Sequence, residues 1–229
     1  MQIIPALIAD DADSANDFEE IKSRFDRIAP FLAELGGWIQ LDITDGKFVP
    51  TMTHLSWEQI RFFTERAKTD LHLMIKEPEA MIGQWIATGP KRITLHIEAT
   101  KNPEKVIAAC RAEGIEVGIA LNPETPVSQI ANRLSQIDLL LFLGVNPGRG
   151  GQKFIPEVLE KIKALPRTTQ EAVVRGLPPV PKNVKIGVDG GINDEAARRL
   201  KEFNVDVLVA GSYLFSGDIE PKIKVLSSI

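Results

Sequence analysis

Residues 92–121 read RITLHIEATKNPEKVIAACRAEGIEVGIAL. Two short apolar runs, 92–97 and 116–121, flank a stretch where Val106, Ile107 and Cys110 recur at helical spacing. A strand buried on both faces needs a near-continuous apolar run. An amphipathic helix between two such runs brings the chain back to start a parallel neighbour. The alternation extends in both directions, with further apolar runs at 2–8, 37–43, 70–75, 137–145, 184–188 and 205–210. Helical spacing recurs between them at Phe18, Ile21, Phe25, Ile28 and Leu32, and again at Val158, Leu159, Ile162 and Leu165. Eight strand–helix units in roughly 210 residues predict an α/β fold of one domain over 1–229, a closed (β/α)8 TIM barrel. No G-x-G-x-x-G follows the first strand, which weighs against an open dinucleotide-binding sheet. The stretch 166–183 is rich in Pro and polar residues and reads as a long loop, or an extended helix–loop, inside that domain.

The chain of 229 residues has 27 Lys+Arg against 31 Asp+Glu, a net charge of −4. That balance argues against a nucleic-acid surface, which needs a basic patch. The one cysteine, Cys110, excludes an intramolecular disulfide framework and a multi-cysteine metal cluster. It reads as a small buried hydrophobe in its helix. The N-terminus, MQIIPALIADD, lacks the basic start of a signal peptide, and no apolar run approaches the ~20 residues of a membrane helix. The expected setting is cytoplasmic, with no membrane partner. Helix patterns alone do not separate core from subunit interface, so a homo-oligomer stays open.

A barrel of this kind carries its chemistry at the C-terminal ends of its strands. Those ends supply Ala6, Asp42, His72, the pair His96 and Glu98, the run Gly148-Arg149-Gly150-Gly151, Asp189-Gly190-Gly191 and Gly211-Ser212. Three glycine turns follow strands six, seven and eight. Bare backbone N–H groups there suit a phosphate, and a helix starting after Gly211-Ser212 would add its N-terminal dipole. The alternative is that these glycines only make tight turns. Asp42, His72 and Asp189 form a second set, converging on the barrel axis. Two opposed carboxylates suit inversion of a carbon beside a carbonyl: one face needs a base and the other an acid. A cation near the carbonyl oxygen stabilises the enediolate, and Asp and His are suitable ligands for it. Against this stand a capping role for Asp42, a core role for His72 and a turn role for Asp189; Asp45 reads better as a turn residue. His96 either enters the site or makes a structural hydrogen bond. His54 reads as solvated, and Trp38, Trp57 and Trp85 read as core or interface.

Four segments carry a family likeness: Leu41-Asp42-x-x-Asp45-Gly46-x-Phe48-Val49-Pro50, His72-Leu73-Met74, Val145-Asn146-Pro147-Gly148-x-Gly150-Gly151-Gln152-x-Phe154, and Val188-Asp189-Gly190-Gly191. In order and spacing, over essentially the whole chain, these resemble the ribulose-phosphate 3-epimerase family. The resemblance implies a ribulose-phosphate-binding barrel of the pentose phosphate pathway. It also implies an isomerase interconverting D-ribulose 5-phosphate and D-xylulose 5-phosphate by two-aspartate proton transfer through a metal-stabilised enediolate. It makes Asp42 and Asp189 the acid/base pair, and both ligands, with His72, of one divalent metal. His72, Gly148, Arg149, Gly150, Gly151, Gly190, Gly191, Gly211 and Ser212 would hold the sugar phosphate. Met74, Thr44 and Leu143 stand at positions that cap the enediolate.

The chain departs from the family pattern inside this site. Ala6 replaces a serine, which removes about one hydrogen bond, roughly 0.5–1.5 kcal/mol. Gln40 stands where the family has a histidine ligand and offers only a weak carbonyl donor. Weaker metal binding is expected, with a shift from zinc toward manganese, iron(II) or magnesium. Thr44 and Leu143 thin a methionine cap, and Arg149 replaces an aromatic residue. Two other readings follow from these changes: an epimerase of another ketose phosphate, such as a hexulose 6-phosphate, and a non-catalytic sugar-phosphate-binding homologue.

Overall fold

The computed structural model describes residues 1–7 and 17–229; Ile8, the end of the first expected strand, lies outside the described residues. Eight parallel strands run in chain order: β1 (Gln2–Leu7), β2 (Trp38–Thr44), β3 (Lys68–Met74), β4 (Arg92–His96), β5 (Glu116–Leu121), β6 (Leu139–Leu143), β7 (Lys185–Asp189) and β8 (Val207–Ala210). They form a closed barrel, with β1 pairing both β2 and β8.

Helices cover the outside, and local sequence sets their ends. The Asp17 carboxylate accepts from the Glu20 amide to start α1 (Phe18–Ile28), whose Ile21, Phe25 and Ile28 are buried. Ser56 and Gln59 cap α2 (Trp57–Thr64) reciprocally, and α3 (Ile82–Ala87) follows β3. Trp57 and Trp85 from these two helices meet edge-on, 4.6 Å between ring centroids. Asn102 caps α4 (Pro103–Ala112), with Pro103 in its first turn and Val106, Ile107 and Cys110 buried. Burial pushes the Cys110 thiol up to about 11, as suits an inert core thiol. Between β5 and β6 the link is a 3-10 helix, Val127–Gln136. After β6 come α5 (Glu157–Lys163) and α6 (Thr169–Arg175). The stretch 166–183 is thus no plain loop: Thr168 and Glu171 form a capping box, and Gly176 at φ 64 ends the helix. Finally α7 (Asp194–Lys201) follows β7, and α8 (Ser212–Phe215) and α9 (Ile219–Ser228) follow β8. No helix among the described residues is long and apolar enough to cross a membrane.

The barrel interior is divided. One side is apolar, with Ile4, Ala6, Ala120, Leu139, Leu141, Leu143, Val207 and Val209 in one cluster. The other side, from β2 to β4, buries polar groups. At its N-terminal end Arg92 Nε donates to Asp70 Oδ2 at 2.8 Å, and Thr94 Oγ1 donates to Asp70 Oδ1 at 2.8 Å. The guanidinium lies 4.5 Å over the Trp38 ring. These buried groups stopper that end, leaving the polar groups of the C-terminal end to form a site.

Candidate active site

Strand register assembles the centre. Asp42 on β2 is the direct cross-strand partner of His72 on β3, and Asp189 closes β7 opposite Leu143. Asp42, His72 and Asp189 are all buried. His72 Nδ1 lies 3.0 Å from Asp42 Oδ1 and 3.4 Å from Asp189 Oδ2. Gln40, one inward position below Asp42, aims its amide nitrogen into the same point. Its Nε2 donates to Asp42 Oδ1 and to Asp189 Oδ2, each at 2.7 Å, and sits 3.1 Å from His72 Nδ1. Asp42 Oδ2 and Asp189 Oδ1 take no hydrogen bond from the described residues. Each carboxylate is therefore anchored by one oxygen and free at the other.

The electrostatics follow from burial and pairing. Burial opposes a charge on His72, but hydrogen bonds and attraction from Asp189 and Asp42 outweigh it and push the imidazole up to about 10. Burial, reinforced by the Asp42 charge, raises Asp189 against the hydrogen bonds from His72 and Gln40. Behind His72, its Nε2 meets His96 Nε2 at 3.0 Å, and His96 Nδ1 meets Glu98 Oε2 at 3.3 Å. Glu98 Oε1 in turn accepts the Asn122 amide at 2.8 Å. His96 thus joins the centre through His72.

Asp42, His72 and Asp189 each offer a ligand atom within 4.8 Å of the others, so this group could hold a metal ion. Two carboxylate oxygens and an imidazole nitrogen suit a divalent cation. Gln40 Oε1 adds a buried acceptor with no partner among the described residues. The sequence reading had this carbonyl facing the centre; the nitrogen faces it instead, because two carboxylates call for N–H donors.

Above the centre opens a cavity of about 620 Å³. It is lined by Ala6, Asp42, His72, Met74, Leu143, Gly148, Arg149, Gly150, Gly151, Asp189, Gly190, Gly191, Gly211 and Ser212, as the strand ends led one to expect. Gln40 lies beneath and does not line it. Thr44, expected at a cap position, does not line it either: its hydroxyl faces Thr53 Oγ1 at 3.1 Å. The glycine loops are tied together where the Gly151 amide donates to Ser212 Oγ at 2.7 Å. Gly191 is dictated by packing as well. At φ 69, a Cβ there would fall 2.6 Å from the Phe154 backbone. The helix after Gly211 is a single turn, which reduces the dipole expected of it. Asp45 is a turn residue: it accepts the amides of Lys47, Phe48 and Lys76. His54 is exposed and outside the cavity. Sequence reasoning missed Lys153, Asn193 and Arg199 at the cavity wall. Arg199 sits on an amphipathic helix, where a cation reads as solvated face.

Comparison with known proteins places the chain in a family. The ribulose-phosphate 3 epimerase family model matches residues 11–215. A ribulose-phosphate 3-epimerase of Bacillus subtilis is 36% identical over 219 residues, covering 94% of this chain and 92% of the relative. One of Mycobacterium bovis is 35% identical over 197 residues, covering 85% and 82%. Among solved structures, 3-hexulose-6-phosphate synthase from Salmonella typhimurium superposes with a TM-score of 0.69 at 14% identity, covering 100% of this chain and 97% of that one. At that identity the likeness shows the barrel alone. The family match and the two relatives show more: this chain belongs to the ribulose-phosphate 3-epimerase family.

Proposed function

We propose that the protein is an isomerase that interconverts D-ribulose 5-phosphate and D-xylulose 5-phosphate by moving a proton at C3. The observation that carries this reading is the convergence of Asp42 and Asp189, with His72, on one buried point from strands on different sides of the barrel. Each carboxylate keeps one oxygen free of hydrogen bonds from the described residues. One free carboxylate oxygen takes the C3 proton from one face, and the other carboxyl returns a proton on the opposite face. The roles exchange when the reaction runs backward. Gly148, Arg149, Gly150 and Gly151, with Gly190, Gly191, Gly211 and Ser212, hold the phosphate at the far side of the cavity through backbone N–H groups and the Arg149 cation. Met74 and Leu143 cover the reacting carbons and keep water from the intermediate. Asp42, His72 and Asp189 would hold a divalent ion, which when bound would supply positive charge to stabilise the enediolate. The oxygen-rich donor set favours manganese, iron(II) or magnesium over zinc. A cytoplasmic setting belongs to this reading, since phosphorylated sugars do not cross membranes unaided.

The test is incubation with D-ribulose 5-phosphate in deuterated water, read at C3 by NMR. Xylulose 5-phosphate carrying deuterium at C3 is expected. Exchange or inversion seen only with six-carbon ketose phosphates would overturn the pentulose assignment. No exchange with any ketose phosphate would overturn the enzyme reading.

A further inference from the structure

Gln40 does two unusual things at once. Its side chain is wholly buried, and its amide nitrogen stands among Asp42 Oδ1, Asp189 Oδ2 and His72 Nδ1, at 2.7, 2.7 and 3.1 Å. A primary amide nitrogen carries two hydrogens. The two shortest contacts, both to carboxylate oxygens, use them. The nitrogen therefore bridges two anions that would otherwise repel each other, much as a cation would. The reverse orientation would press Oε1 against two carboxylate oxygens, so the assignment follows from charge.

The same placement leaves Oε1 buried without a donor among the described residues. Buried acceptors without partners are rare, and one at a functional centre calls for a reason. The cross-strand partner of Gln40 on β1 is Ala6, whose methyl group supplies no donor. Oε1 belongs to the same planar amide as Nε2, so rotating the last side-chain torsion exchanges their positions without moving the backbone.

We propose that Gln40 is a two-position latch on the centre. Without a cation, Nε2 bridges Asp42 and Asp189 and closes the centre. When a divalent cation enters, the amide turns over, Nε2 leaves, and Oε1 joins Asp42, His72 and Asp189 as a ligand. The cation must displace two hydrogen bonds to enter, so it binds reversibly and in competition with the chain's own side chain. The centre also keeps its shape when emptied. This inference rests on the three-residue group being a metal site, and it does not depend on which sugar is turned over.

The experiment is 15N NMR of the glutamine side-chain amides in metal-stripped full-length protein, titrated with Mg2+ and with Zn2+, with binding followed by calorimetry on the same sample. The Gln40 amide is identified by its absence in Gln40→His, or in Gln40→Glu should the first variant not fold. Before metal, its two protons are expected to exchange slowly with water. On metal binding the resonance should move and that protection should fall, in step with the calorimetric saturation. Gln40→His, which has no amide to displace, should bind Zn2+ roughly ten- to a hundredfold more tightly. Metal binding with the Gln40 resonance unmoved would overturn the latch. So would no binding of either ion at millimolar concentration, since the amide would then be a fixed replacement for the metal. The readout uses no sugar. An active epimerase with an unmoving amide overturns this inference alone, and a moving amide in an inactive protein overturns only the epimerase reading.

Discussion

His72 Nε2 and His96 Nε2 lie 3.0 Å apart inside the barrel, so one ring donates and the other accepts. Burial holds His96 below its ordinary value, against the pull of Glu98 and with the repulsion of His72. His72 is held well above its own, so His72 is the donor and His96 the neutral acceptor, with its Nδ1 proton on Glu98. Glu98 and His96 together fix which nitrogen of His72 faces the carboxylates. His96→Ala is expected to weaken Mn2+ binding about ten- to a hundredfold. Glu98→Gln should do less, because an amide oxygen still accepts. Calorimetric titration checks both. Unchanged affinity in a folded His96→Ala variant would remove this positioning role.

The same protonation gives the metal-stripped protein a pH signature. A histidine whose folded pKa is raised from 6.5 to about 10 contributes stability that is complete below pH 6.5. That contribution is lost as pH rises through about 10. Asp189, also raised, acts with the same sign at lower pH. The urea midpoint of stripped protein should therefore fall between pH 6.5 and 10, and His72→Gln should flatten that fall. A midpoint that rises over the interval would show that His72 is neutral in the folded state.

On the proposed two-carboxylate reading, replacing either carboxylate should isolate one face of the reaction. Asp42→Asn and Asp189→Asn keep side-chain shape, and each should lower turnover by about 10²–10⁴. Exchange at C3 should survive for one epimer in each variant, a different epimer in the two cases. The NMR measurement described for the wild type reads both. Equal loss of exchange for both epimers in both variants would contradict a base on each face.

The stopper below the site is a stability element. Arg92 and Asp70 are fully buried and joined at 2.8 Å. Removing one partner leaves the other charge uncompensated, so Arg92→Ala should cost about 3–5 kcal/mol in urea unfolding. The double variant Arg92→Met, Asp70→Leu should recover most of that loss. A cost under about 1 kcal/mol for Arg92→Ala would mean water reaches Asp70 from below.

Gly191 tests the cradle. An alanine there meets both a left-handed φ and the Phe154 backbone. Gly191→Ala should lose at least about 1–3 kcal/mol of stability and raise the KM for the sugar phosphate. An unchanged KM in a folded Gly191→Ala protein would place the phosphate elsewhere.

Much of this was legible because barrel strands are buried on both faces. All eight apolar runs became strands, since each packs inward on its neighbours and outward on helices. The helix Thr169–Arg175 was also written in the chain, as the Thr168-x-x-Glu171 signature, but the surrounding prolines obscured it. Asp42, His72 and Asp189 were readable from their places at strand ends. Two things were not. The contact of His96 with His72 depends on how side chains meet across neighbouring strands, beyond what spacing within one strand reveals. The orientation of the Gln40 amide depends on charges from three strands at once, and Thr44 was lost to Thr53, a loop residue with no marker of its own.

The stopper also bears on isotope bookkeeping. Arg92, Asp70 and Trp38 fill the lower end of the barrel beneath the cavity. On the proposed reading, a hydron taken from C3 has no route out through that filled end, so it exchanges with solvent more slowly than wild-type turnover, while the slow single-carboxylate variants leave time for exchange. On the same reading the product would receive its hydron from the opposite carboxyl, which equilibrates with solvent before substrate enters. Early in the reaction, deuterated water should therefore label the product while leftover substrate keeps its original hydrogen. That asymmetry would come from the filled floor of the barrel, which takes no part in the chemistry itself.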